Sequence, residues 1–145
     1  MSGRTLGSTL AEVELAIKEC LQGKNIEFCS MVWFGDDPPS TCENGLGIAI
    51  YGDISNRTSD CSTFTYYNIN VRASICTPNP ETMQESTEEA CAFYDKLEAV
   101  YNAMVAWWTT VDGHCNIVKP DGFRAEGGAS NTCTDYYSSW VMQIN

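Results

Sequence analysis

Between residues 63 and 75 apolar and polar side chains alternate, with Tyr67, Ile69, Val71, Ala73 and Ile75 on one set of positions and Asn68, Asn70, Arg72 and Ser74 on the other. Successive side chains of a strand point to opposite faces, so the spacing predicts a strand with one dry face and one wet face. Strands of a parallel sheet are covered on both faces and read as continuous apolar runs. This one therefore belongs to an antiparallel sheet covered on one side.

The dry face needs a cover, and two helical patterns can supply it. Over residues 9–21, Leu10, Val13, Ile17, Cys20 and Leu21 share one face while Glu12, Glu14, Lys18 and Glu19 lie away from it. Thr9 and Glu12 have capping-box spacing, and Gly23 is placed to end the helix. Residues 86–108 form the longer pattern, with Ala90, Phe93, Tyr94, Leu97, Val100, Tyr101, Met104, Val105 and Trp108 at helical spacing and Ser86 with Glu89 as its capping pair. That wide aromatic row reads as cover for a sheet rather than as a cofactor box.

Three further strands are expected. Residues 26–34 are aromatic and β-branched and end at Gly35-Asp36-Asp37-Pro38-Pro39, whose prolines make 35–45 a loop containing Cys42. Residues 46–51 place Leu46, Ile48 and Ile50 on one face, and 52–61 read as polar and turn-rich. Thr77-Pro78-Asn79-Pro80 closes the alternating strand, 112–132 reads as a loop or short hairpin around Asn116-Ile117-Val118, and 134–144 puts Tyr136, Trp140, Met142 and Ile144 on one face. The expectation is one α+β domain over 1–145, with a mainly antiparallel sheet of about four strands and two helices packed on one face. A chain of this size hides roughly 68–70% of its unfolded surface, so disulfides are optional for folding.

Chemistry is sparse. Eight Lys and Arg against 19 Asp and Glu, a formal charge of -11, disfavour a protein that grips nucleic acid phosphates or an acidic membrane. Residues 1–7 lack the basic and apolar start of a secretory signal, so a product kept in a cytosol is expected, with a mature exported fragment as the alternative. The eight cysteines, Cys20, Cys29, Cys42, Cys61, Cys76, Cys91, Cys115 and Cys133, never fall within four residues of one another, and His114 is the only histidine, which argues against structural zinc. They read as a mixture of buried thiols and a minority that pair outside a reducing compartment. A nucleophile and base could only be Cys115 and His114, whose adjacent side chains tend to point apart. Asp36-Asp37 flanks a proline turn and Glu88-Glu89 opens a helix, so both acidic pairs have structural explanations. Asn56-Arg57-Thr58 has the form of a glycosylation acceptor but no export signal accompanies it. No catalytic, cofactor or metal site is expected. The polar segments 35–45, 52–61 and 112–132 and the Asn-rich strand face are either binding surfaces or simply solvated.

Taken in order, the chain shows a short helix, a strand, the acidic proline turn Asp36-Asp37-Pro38-Pro39 with Cys42, a second strand, and a segment ending in Cys61. A long strand follows and closes on Val71-Arg72-Ala73-Ser74-Ile75-Cys76-Thr77-Pro78; after the long helix come Gly127-Gly128, Cys133 and Trp140-Val141. Over nearly its whole length this order resembles the tail-terminator and tail-completion proteins at the neck of long-tailed bacteriophages, most specifically those of actinobacterial phages. The second helix is more aromatic than usual there, and single cysteines stand where related chains often show more. The resemblance implies an α+β subunit that forms a hexameric ring on the tail tube, stops tube polymerisation and joins the filled head. Implied partners are further copies of itself, the tail tube protein and a head-side stopper, with genome DNA passing through the lumen unbound. No cofactor, membrane or catalysis is implied, and the product would be made in the host cytoplasm and end in the virion. Cys42, Cys61, Cys76 and Cys133 become candidate disulfide cysteines with pairing open, and Asp36, Asp37, Pro38 and Pro39 a candidate interface loop. Another neck ring, an extracellular disulfide-stabilised binding module and, through His114 or Cys115, a small enzyme are the alternatives.

Overall fold

The computed structural model describes residues 5–33, 46–76, 87–110, 117–118, 125–127 and 133–143, of which 30–31, 59, 74–76, 87–90, 93, 117–118, 125–127 and 133–139 are described by their backbone. Helix α1 spans Leu6–Gly23 and begins earlier than the periodicity predicts. The cause is a cap upstream of the expected one. The Ser8 N–H donates to Thr5 Oγ1 and the Thr5 N–H to Ser8 Oγ, both at 3.0 Å, a capping box closed by serine instead of glutamate. Thr9, the expected cap, is buried inside the helix and its hydroxyl donates to the Thr5 carbonyl at 2.8 Å. Gly23 is not what turns the chain at the other end. Asn25 adopts a φ of 58°, with its N–H on the Gln22 carbonyl and the Ile26 N–H on the Leu21 carbonyl, which is the Schellman arrangement.

Helix α2 spans Thr87–Thr110, two residues beyond the expected end, while the expected cap Ser86 lies outside the described residues. Its core stripe is Leu97, Val100, Met104 and Trp107; Trp108 is only partly buried and Tyr94 is exposed. Ala99 and Ala103 are also buried, and their small size lets α1 approach until the Cys20 thiol donates to the Ala99 carbonyl at 3.6 Å.

The strands are β1 (Phe28–Val32), β2 (Leu46–Ser59), β3 (Ser62–Cys76), β4 (Ile117–Val118), β5 (Ala125–Gly127) and β6 (Cys133–Gln143). They form one sheet in the order β1-β2-β3-β6-β4, with β5 also on β6. Three long strands, β2, β3 and β6, and the five-residue β1 carry it, and every pairing is antiparallel except β1 with β2. A parallel neighbour requires a crossover of about a dozen residues or more, and 33–45 has that length.

The dry face of β3 is where the alternation puts it. Ile69, Val71 and Ala73 are fully buried with Leu46, Ile48 and Ile50 of β2 and Trp140 of β6, whereas Asn68, Asn70 and Arg72 are half-buried on the other face. One continuous core joins these residues to both helices, so α1 and α2 cover the same face. Trp107 of α2 meets Trp140 edge-on, ring centroids 6.3 Å apart, which seats the second helix over β6.

The largest departure from expectation is residues 52–61. They are not a loop: β2 continues to Ser59 in unbroken register with β3, from Gly52↔Ile69 to Ser59↔Ser62. Both faces of this stretch are largely polar, so it lacks the apolar alternation by which strands are read. The turn is two residues, Asp60 and Cys61, with φ of 49° and 70°. Positive φ at both central positions is the type I′ condition, whose twist matches that of the flanking strands.

Candidate functional site

The β2–β3 hairpin outruns the rest of the sheet. β1 ends opposite Ile50, with the Trp33 N–H donating to the Ile50 carbonyl at 2.8 Å, and β6 ends opposite Tyr66. From Gly52 to Ser59, about 25 Å of strand, β2 is paired on the β3 side only among the described residues. Gly52 marks where the arm leaves the core. A Cβ there would lie 2.5 Å from the Asn68 carbonyl oxygen and 3.3 and 3.5 Å from Leu6 Cδ1 and Leu10 Cδ2, so the first turns of α1 rest directly on the strand. Past that point cover thins on the β2 side among the described residues, although Tyr67, opposite Ile54, is still buried. Ile54, on the same face as the buried Ile50, is 55% exposed, and Val32 and Trp33 at the end of β1 are 42% and 40% exposed.

The arm is held by polar cross-strand contacts. Thr58 and Thr63 hydroxyls lie 3.2 Å apart, Thr65 donates to Asn56 Oδ1 at 3.1 Å, and Asn68 Nδ2 donates to Asp53 Oδ1 and to Ser55 Oγ. The Arg57 guanidinium lies 5.0 Å from the centre of the Tyr66 ring. Main-chain donors and acceptors along an open edge are a template for another strand, and exposed apolar side chains beside it add area for a partner to bury. Val32, Trp33 and Ile54 flank the place where, among the described residues, β2 loses its β1 neighbour.

A second surface feature is a groove of about 520 Å³ between α1 and α2, bordered by Glu12, Leu15, Glu19, Cys20, Ala106 and Trp107. Its floor is tied by the Trp107 Nε1–H, which donates to Glu12 Oε1 at 3.0 Å. Glu12, expected as a capping partner, instead joins the two helices. Leu15 is 57% exposed on its rim.

The residues singled out in the sequence are scattered. Asp36, Asp37, Pro38, Pro39 and Cys42 lie outside the described residues, as do His114 and Cys115. Cys61 is corrected: it is an exposed free thiol at the hairpin tip, held in a two-residue turn about 50 Å along β3 from Cys76. Cys76 and Cys133 are brought opposite each other by the β3–β6 register. Cys20 and Cys91 are free, while Cys29 is disulfide-bonded, which nothing in the sequence separated from its neighbours. Asn56-Arg57-Thr58 lies in β2, on the arm. Among the described residues no three His, Cys, Asp or Glu side chains gather as metal ligands, and no helix is long and apolar enough to cross a membrane. The sequence matches no family model and no curated protein.

Proposed function

We propose that the chain is a structural virion protein of the tail-terminator type, whose copies close into a hexameric ring at the head-proximal end of a phage tail tube. The ring ends tube polymerisation and joins tail to head, and no bond is made or broken. The observation that carries this reading is the β2 edge from Gly52 to Ser59, paired on one side only among the described residues, with Val32, Trp33 and Ile54 exposed beside it. A closed ring needs a contact between two unlike surfaces of each subunit, and an open edge supplies one of them through main-chain pairing. The tail-terminator-like arrangement of elements belongs to the same proposal, as do the tube protein and the stopper as partners. A formal charge of -11 suits a lumen through which DNA passes without being gripped.

The test is the oligomeric state of the purified protein by light scattering, with negative-stain images. Six-fold rings are expected. Ile54→Lys, which puts a charge on the edge, should give folded monomers, because a half-exposed surface change alters stability by no more than about 0.5 kcal/mol. A wild-type chain that stays monomeric at millimolar concentration and is missing from purified tails refutes the proposal, and tight DNA binding at low salt counts against it.

The disulfide at Cys29 favours a second reading, an extracellular binding module stapled by disulfides. That reading predicts a monomer whose exposed aromatics, Trp33 and Tyr94, contact a carbohydrate. Glycan-array binding lost on Trp33→Ala would favour it over the ring.

A further inference from the structure

We propose that Cys76 and Cys133 form a disulfide across β3 and β6. The register makes them a directly opposed pair at the end of the β3–β6 ladder. Directly opposed residues of an antiparallel pair have Cα atoms about 4.5 or 5.5 Å apart, depending on whether the pair exchanges hydrogen bonds. Both values fall inside the window of about 4.4–6.8 Å that a disulfide spans. Strand alternation also assigns both residues to one face: Cys76 shares the parity of Asn68 and Asn70, Cys133 that of Val141, and Asn68 pairs with Val141.

The other described cysteines do not compete for either partner. Cys29 is on β1, two strands from β3, which is about 9.6 Å across the sheet and beyond the window. Cys61 sits at the far end of β3, and Cys20 and Cys91 are free thiols on the helices, which cover the opposite face. The bond at Cys29 shows independently that this fold accommodates oxidised cysteine.

In forming the bond, the two thiols lose two protons and two electrons to a small-molecule disulfide such as oxidised glutathione, which leaves as two thiols. The new bond closes the excursion of chain that carries α2, β4 and β5. In a reducing compartment the pair stays a dithiol and the ladder end is held by hydrogen bonds; in an oxidising medium it locks. The inference does not depend on what the chain assembles with.

The full-length protein, equilibrated with oxidised glutathione and blocked with N-ethylmaleimide, is digested with trypsin and a Glu-specific protease without reduction. Cleavage after Arg72, Glu81 and Glu126 separates Cys76 from Cys91 and releases peptides 73–81 and 127–145. One species joining these two peptides is expected, lost on treatment with dithiothreitol. Maleimide adducts on both cysteines, or either one joined to a different cysteine, would overturn the pairing. As a second readout, Cys76→Ser with Cys133→Ser should melt about 5–15 °C below the oxidised parent and level with the reduced parent. A double variant as stable as the oxidised parent also overturns it; if that variant does not fold, the peptide map of the wild type decides.

Discussion

Replacing a glycine inside a strand by alanine ordinarily raises stability by about 0.5–1 kcal/mol, because glycine loses the most backbone freedom on folding. At Gly52 the sign should reverse. The added methyl group would lie 2.5 Å from the Asn68 carbonyl oxygen, whereas carbon and oxygen normally approach to about 3.3 Å. That oxygen belongs to backbone, and the Asn68 side chain is bonded to Asp53 and Ser55, so the strand has little freedom to withdraw. Leu6 and Leu10 of α1 close the space above at 3.3 and 3.5 Å. Overpacking of this kind costs about 1–3 kcal/mol. After the entropic gain the net loss is about 0.5–2 kcal/mol, which lowers the melting temperature of a domain this size by roughly 1–8 °C. Gly23→Ala is the control: at the last residue of α1, with no atom within 4 Å of the new methyl, it should leave stability unchanged or raise it by up to about 1 kcal/mol. Thermal and urea unfolding followed by circular dichroism measure both. A Gly52→Ala protein as stable as its parent would refute the close approach of α1, β2 and β3 at this position.

Cys61→Gly should stabilise by about 1 kcal/mol, since Cys61 holds a φ of 70° that glycine adopts without strain. A loss of about 2–4 kcal/mol would show instead that this thiol is crosslinked. Glu12→Ala leaves the nearly buried Trp107 indole N–H without this acceptor and should cost about 1–3 kcal/mol by urea titration. In a Trp107→Phe background the same change should cost under about 0.5 kcal/mol; equal costs in both backgrounds would show that the hydrogen bond is not what couples the helices. With a formal charge of -11 per copy, closure of the proposed ring would work against repulsion between like subunits. Raising salt from 0.1 to 1 M shortens the screening length from about 10 to 3 Å, so sedimentation should show more assembly; dissociation by salt would mean that ion pairs hold the interface.

What could be read in the sequence is what alternates or repeats against a core. β3, β6 and both helices carry a buried stripe, so Ile69, Val71, Trp140, Leu97 and Ile17 announce themselves by spacing. The arm does not, because Asn56, Arg57 and Thr58 face solvent and carry no pattern beyond that of a polar loop. Local hydrogen bonds decided the ends of α1: Ser8 closes the box on Thr5 although glutamate at Glu12 looked the better partner for Thr9, and Asn25 takes the left-handed position beside an available Gly23. The bond between Trp107 and Glu12 joins residues distant in sequence, so no local pattern encodes it.

The register of a strand that is polar on both faces is weakly specified, because slipping it by one residue buries nothing wrong. The arm escapes this through its turn and its side-chain pairs. A two-residue loop with two positive φ angles sets Ser59 opposite Ser62, and the contacts of Asn56 with Thr65 and of Asp53 with Asn68 repeat that setting down the hairpin to Gly52. A slip of one residue would carry Ile54 to the opposite face, away from Val32, and bring a side chain against α1 where only Gly52 fits. The arm is therefore ordered before any partner arrives, and a partner that pairs with its edge does not have to supply that ordering entropy. In the proposed ring, the polar pairs that add little to the core would act on assembly, by fixing which face of the arm Ile54 presents to the next subunit.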